Sequence, residues 1–395
     1  MTDRPAYSFD PGPPPEASRF LRNKKLEPSF SFLDVEPEEH AVAFAVAKVA
    51  ELDLLQDIKE AVQSALDEGQ TFADFQKQLR PTLEKKGWWG KKLMEDPLTG
   101  QVKPVQLGSP RRLKTIYRAN LRAARAAGQW ERIERTKEAM PYLQYNLGPS
   151  KEHRHDHEEK EGLVLPVDDP FWDEWMPPNG WGCNCWVRQI SAREAARLGV
   201  NEAPNVPRSQ KVNRRTGEVR DVPVGVDPAW SRNPGKLRVQ HMETLLVQGV
   251  EALPEIAAQA ITADLATSWR VQRIQAGEAE GRVPVAILPS EARTALDVEV
   301  KTVLFSDETA TKQSAKHPEL KPQDYAQLAR LMASGTIVTT KDQSVAVFER
   351  RARDAWLAVI KRTAKGDELY LKTFYRNNNL DYLDGLLRRG TVVRE

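Results

Sequence analysis

The chain has 395 residues, 40% of them hydrophobic and 29% charged, with 58 Lys and Arg against 56 Asp and Glu for a net charge of +2. At roughly 150 residues per domain, that length predicts two or three domains with packed cores, and the even charge gives no chain-wide reason to bind nucleic acid or a membrane. No apolar run approaches the ~20 residues of a membrane helix, the N-terminal MTDRPAYSFDPGPPPEASRF lacks the apolar centre of a signal peptide, and Cys183 and Cys185 are too close in sequence to staple loops, so a membrane-embedded protein and a secreted disulfide scaffold are excluded in favour of a soluble chain in a reducing compartment.

Residues 1–29 are rich in proline and charge and predict a flexible arm. From Glu38 the apolar residues Val42, Val46 and Val49, and then Leu55, Ile58, Val62 and Leu66, recur within each group at three- and four-residue spacing, which predicts helix stopped by Gly69. Thr71 caps a second helix, in which Pro81 predicts a kink or break. The tryptophans of GWWG, Trp88 and Trp89, read as core or interface anchors.

Residues 97–130 hold no Asp or Glu but seven Lys and Arg. Ser109-Pro110 opens a helix that Gly128 is expected to end. Lys114, Arg118, Arg122 and Arg125 fall on one stripe of it. Such a stripe suits phosphates or an acidic partner, and equally a solvated helix face.

The next stretch alternates His153, His155 and His157, and Cys183 and Cys185 follow His157 by 26 and 28 residues. Zinc takes imidazole nitrogen and thiolate sulfur, and four such ligands close a tetrahedral structural site. Cys183 and Cys185 with His157 and either His155 or His153 make that set. Packing and hydrogen bonding are the alternative reading, and a catalytic Cys–His pair a further one. Between the groups, DDPFWDEWMPPNGWGC predicts a rigid, irregular core. Residues 241–282 read as a helical connector ending in the linker GEAEGR. Residues 283–395 alternate strand-like and helical segments and predict a separate α+β domain with an antiparallel sheet.

The ordered blocks carry a resemblance. Arg154-x2-His157-x4-Gly162, the DDPFWDEW stretch and PPNGWGCNC (Pro177–Cys185) are similar to the pattern of the phage head morphogenesis family, the Mu F-like minor head proteins. EEHAVAFAVAKV, GWWG, SPRRLKTIYRANLRAARAAGQW and GVDPAWSRNPGK resemble further blocks of that family, over residues 30–240. The resemblance implies a mainly α head-morphogenesis region with an irregular His/Cys core. It also implies a virion component at the portal and capsid interior, present in the host cytoplasm during assembly, with phage DNA as a further partner and no established enzymatic activity. Residues 283–395 resemble, by layout, the barnase, EndoU, colicin and RelE type of nuclease domain. That likeness implies a metal-independent ribonuclease acting on host RNA. A base and acid are needed at the ribose 2′-hydroxyl and leaving oxygen, with cations at the phosphorus oxygens. His317 is the candidate acid/base, with Lys312, Lys372 and Arg376 as the cations and Thr373 and Tyr375 orienting the phosphate. A domain that only binds nucleic acid or the portal is the alternative.

Overall fold

The computed structural model describes residues 13–35 and 39–395, and the chain folds as two units, 1–241 and 242–395. In the first unit the order is α1 (Pro15–Arg22), β1 (Lys25–Leu26), β2 (Ala43–Phe44), α2 (Leu52–Asp67), α3 (Phe72–Lys85), β3 (Lys91–Glu95), β4 (Val102–Gln106) and α4 (Pro110–Thr136). Then come β5 (Tyr142–Asn146), α5 (His155–Glu158), β6 (Val164–Pro166), α6 (Phe171–Trp175), β7 (Trp186–Ile190), α7 (Ala192–Leu198), β8 (Arg208–Val212) and β9 (Val219–Pro223). Helix α8 (Pro234–Ala252) runs across the division.

The expected arm is a correction where it is described. Residues 1–12 lie outside the described residues, but Pro15–Arg22 is a helix that buries Ala17, Phe20 and Leu21. Glu16 anchors it through Arg132 (3.3 Å) and Arg135 (2.6 Å) of α4. Helix α4 does not end at Gly128 but continues to Thr136. A Cβ on Gly128 would lie 2.7 Å from the backbone nitrogen of Ala17, so the glycine serves close approach of α1 rather than termination.

The helix expected from Glu38 begins only at Leu52. Before it, a short 3₁₀ turn, β2 and a left-handed Lys48 (φ 65°) carry the chain, with Ala41, Ala43, Phe44, Val46 and Val49 all buried. Val42, Val46 and Val49 do have helical spacing, but Ala41, Ala43 and Phe44 beside them are buried as well, so the apolar residues do not fall on one helix face. Pro81 does not break α3, because Phe75, Leu79 and Leu83 bury one face on both sides of it.

These elements make two cores. The first joins α1, α2 and α3 to Leu113, Leu121 and Ala127 of α4 and includes Trp88. The second surrounds a three-stranded antiparallel sheet, order β6-β5-β7, with Trp130, Ile133, Tyr145, Trp172, Trp175 and Trp230. With the pairs β1-β2, β3-β4 and β8-β9, four small sheets are interleaved with the helices. A mainly α description of residues 30–240 therefore misses much of the framework around the site.

The second unit follows with α9 (Glu255–Ala266), α10 (Trp269–Gln275), β10 (Arg282–Ile287), α11 (Ser290–Leu296), β11 (Thr302–Ser306), α12 (Asp307–Lys316) and α13 (Gln327–Ser334). It closes with β12 (Thr336–Thr340), β13 (Ser344–Arg350), β14 (Ala355–Arg362), β15 (Leu369–Asn377), α14 (Leu380–Arg389) and β16 (Val392–Arg394). Its seven strands run in the order β10-β11-β15-β14-β13-β12-β16. The sheet is mixed rather than antiparallel, because β11 and β15 are parallel. Ala266, Val271, Ile274 and Ala279 share one core with the sheet, so the expected connector and linker are part of this unit. No helix among the described residues is long and apolar enough to cross a membrane.

Candidate metal centre

Strand β5 supplies the floor of the site. Its Tyr145 is fully buried, and the hydroxyl donates to Asn179 Oδ1 at 3.1 Å. Above it, α5 presents His157, 2% exposed, whose Nε2 lies 2.8 Å from the carbonyl of Gly225. A carbonyl only accepts, so Nε2 carries the hydrogen and Nδ1 is the atom turned to the interior. Both cysteine sulfurs converge on it, Cys185 Sγ at 3.5 Å and Cys183 Sγ at 3.8 Å. The ligand atoms of His157, Cys183 and Cys185 all lie within 4.8 Å of one another.

The C-x-C spacing explains how two thiols reach one point. In extended chain, alternate residues point the same way. The residue between them, Asn184, instead bonds Ser150 Oγ (2.8 Å) through Nδ2 and accepts from Arg122 through Oδ1.

The electrostatics follow from crowding. A hydrogen bond from Cys185, aided against burial by His157, pulls the Cys183 thiol down to about 4. The same Cys183 contact, with burial, pushes Cys185 up. Burial works to lower His157, but the bonds to Cys183 and to the Gly225 carbonyl outweigh it and the imidazole is raised.

His155 does not join the group. It is 83% exposed on the far side of α5, where it faces Glu158 (3.8 Å) and Glu159 (3.4 Å). Among the described residues no fourth His, Cys, Asp or Glu completes the cluster, His153 included.

Several residues that build the site were not singled out from sequence. Gly225 has φ 95°, and a Cβ there would meet Asp156 Cβ at 2.6 Å. Asp227 accepts from Arg154 Nη1 (3.0 Å), Arg154 Nη2 (2.9 Å) and the Trp181 backbone (2.8 Å). Arg154 and His157 therefore grip one turn, residues 225–227. The available signal was that Arg154-x2-His157 and GVDPAW occur as two ordered blocks.

The basic stripe is partly dismantled. Lys114, Arg118 and Arg125 are exposed on α4, but Arg122 is half-buried against Asn184, its charge close to both sulfurs.

In the second unit, His317 follows α12, which packs on β15. Its ring stacks on Tyr375 with centroids 4.2 Å apart, and Nδ1 lies 3.4 Å from Glu319. Burial, with Tyr382 nearby, pushes the Tyr375 phenol up to about 12. Two of the three expected cations face carboxylates: Lys312 lies 3.6 Å from Glu308, both exposed, and Arg376 Nε bonds buried Asp354 at 2.8 Å. Lys372 is exposed at a bulge in β15, where Leu371 and Thr373 pair with successive residues of β14. Leu371 and Phe374 share one core despite their odd spacing, so the faces of β15 do not alternate regularly across the bulge. Thr373 pairs with Val359 and is half-buried.

Arg154, His157 and the PPNGWGCNC segment, which the fold brings together at the turn 225–227, are the blocks that resemble phage head-morphogenesis domains. The family described as "Phage Mu protein F like protein" matches residues 56–188, a span that contains His157, Cys183 and Cys185. Over 386 residues the chain is 31% identical to "Putative capsid assembly protein F" of Escherichia phage Mu, covering 89% of this chain and 87% of that protein. It is also 31% identical over 264 residues to the Mu-like prophage FluMu F protein of Haemophilus influenzae, covering 64% of this chain and 59% of that one. The chain belongs to the phage Mu F-like family. No solved structure matches it.

Proposed function

We propose that the chain is a minor head protein that works in capsid assembly, docked at the portal and the inner face of the capsid and retained in the virion. The observation that carries this is the near end-to-end match to the phage Mu protein, which leaves only about a tenth of the chain unmatched, less than the length of the second unit. The second unit is thereby part of the shared protein, whereas the family match alone ends at residue 188. Exposed Lys114, Arg118 and Arg125, with no acid anywhere in residues 97–130, suit an acidic partner surface or packaged DNA. The test is quantitative mass spectrometry of procapsids and virions beside a deletion strain. A few copies per particle and failed head assembly without the protein are expected. Its consistent absence from particles, with normal heads in the deletion strain, overturns the reading.

A second reading, metal-independent RNA cleavage by the second unit, is favoured by one observation: His317 and Tyr375 stack where α12 meets β15. His317 would exchange protons at the 2′-hydroxyl or leaving oxygen. Engagement of Lys312 and Arg376 by carboxylates weighs toward the binding-only alternative. Full-length protein with labelled RNA in EDTA decides it. Cleavage to a 2′,3′-cyclic phosphate should fall about 10²–10⁴-fold in His317→Ala, and absence of cleavage leaves the domain as a binding module.

A further inference from the structure

The three-residue cluster around His157 has a geometry that hydrogen bonding alone does not account for. Imidazole Nδ1 has one lone pair directed along one line, so it can accept one good hydrogen bond. Here two sulfurs approach it together, at 3.5 and 3.8 Å, and they are also close to each other. One cation at the centre of the three atoms satisfies them simultaneously.

The dimensions agree with one metal. With Zn–S at about 2.3 Å and Zn–N at about 2.0–2.1 Å, the edges of a tetrahedron come to roughly 3.6 Å for S···N and roughly 3.8 Å for S···S. The observed S···N separations bracket the first figure. The softness of the donors points the same way, since two thiolates and an imidazole select zinc over magnesium or calcium.

The surroundings are those of a ligand set already oriented. The Gly225 carbonyl fixes the ring through Nε2, the outer contact that a metal-bound histidine ordinarily makes. Gly225 can approach that closely only because it lacks a side chain, which Asp156 would otherwise meet. The Tyr145 hydroxyl lies within hydrogen-bonding reach of Cys185. Arg122, held by Asn184, and Arg154, held by Asp227, bring positive charge near the two sulfurs.

We propose that His157 Nδ1, Cys183 Sγ and Cys185 Sγ bind one zinc ion, with a water molecule in the fourth position because no fourth protein donor joins the group among the described residues. The ion ties helix α5 to the loop that runs from PPNGWGC into β7, two segments separated by 26 residues between His157 and Cys183. It thereby also fixes the turn at residues 225–227. This assignment is independent of where the protein acts in the phage head.

Full-length protein, expressed without a histidine tag in zinc-supplemented medium, is the material for the test. Elemental analysis should find close to one zinc per chain. Cys183 and Cys185 are the only cysteines, so thiol counting is unambiguous: with native protein and an aromatic disulfide reagent, neither should react until a strong chelator is added, and then both should. Replacing zinc by cobalt(II) should give the sulfur-to-cobalt charge-transfer absorption of thiolate ligation. His157→Ala should lose the metal and His157→Cys should regain it, which separates a ligand from a packing residue. Because such variants can misfold, the wild-type thiol and cobalt measurements stand alone. Folded protein with background zinc after dialysis against zinc, and two thiols that react without chelator, overturns the proposal.

Discussion

Replacing Gly128 by alanine tests the packing that turns residues 15–22 from an arm into a helix. In an open helix the change should stabilise by ~1 kcal/mol, since alanine is the better helix former. Here the new methyl would lie 2.7 Å from Ala17 N and 3.0 Å from Ala17 Cα, both backbone atoms that cannot rotate away. Helix α1 would have to back off by roughly half an ångström or more, and overpacking of that kind costs about 1–3 kcal/mol. The net is a loss on the order of 1–2 kcal/mol. For a unit of about 240 residues, each kcal/mol moves the melting temperature by roughly 2–4 °C. The expected outcome is a fall of a few degrees, with faster hydrogen exchange concentrated in residues 15–22. Gly249→Ala is the internal control: that glycine is exposed in α8 with nothing within 4 Å of its would-be Cβ, so its own unit should gain about 0.5–1 kcal/mol. If Gly128→Ala melts no lower than wild type and leaves exchange in α1 unchanged, the close α1–α4 contact is wrong.

Charge reversal separates the residues of the basic stripe: Arg118→Glu with Arg125→Glu should leave the melting curve intact but weaken binding to a polyanion and flatten its salt dependence. Arg122→Glu should instead destabilise the fold, because it loses the Asn184 contact and places a carboxylate beside two sulfurs; equal effects of all three would return Arg122 to the surface. Lys24, 7% exposed, is lowered to about 7 by burial, then by Arg232, Arg238 and Lys59. The unfolded lysine still holds its proton up to about pH 10, so unfolding takes up a proton between about pH 7 and 10 and stability should rise with pH across that window. Lys24→Met should remove that slope in denaturant midpoints measured from pH 6 to 9, and an unchanged slope would falsify the assignment.

What sequence could reveal depended on whether a residue's role was local. Helices α2 and α4 were legible because their apolar residues repeat along one face and Ser109 caps the second, its hydroxyl accepting from Arg112 N at 3.3 Å. Strands β12 to β15 were legible from alternation, apart from the bulge at Lys372. Helix α1 was hidden because proline and charge dominate its text, and what holds it is Glu16 reaching Arg132 and Arg135 more than a hundred residues away. His157, Cys183 and Cys185 could be named from residue chemistry, but choosing His157 over His155 required the orientation of α5. Gly225 and Asp227 stayed unremarked because their roles lie in what arrives from residues 154–157 across the fold.

Helix α4 belongs to both cores of the first unit at once, with Leu113 through Ala127 in one and Trp130 and Ile133 in the other. At 1.5 Å per residue its 27 residues make an axle about 40 Å long. The helix is continuous through both cores, so melting of one is expected to disturb the other. Hydrogen exchange should find the whole length of α4 opening in a single event rather than in two halves. Lys114 lies near one end of this helix, and the Trp130 end packs in the core of the sheet whose β7 directly follows the cysteines. Docking near Lys114 is therefore expected to be read out at the other core through this one continuous helix.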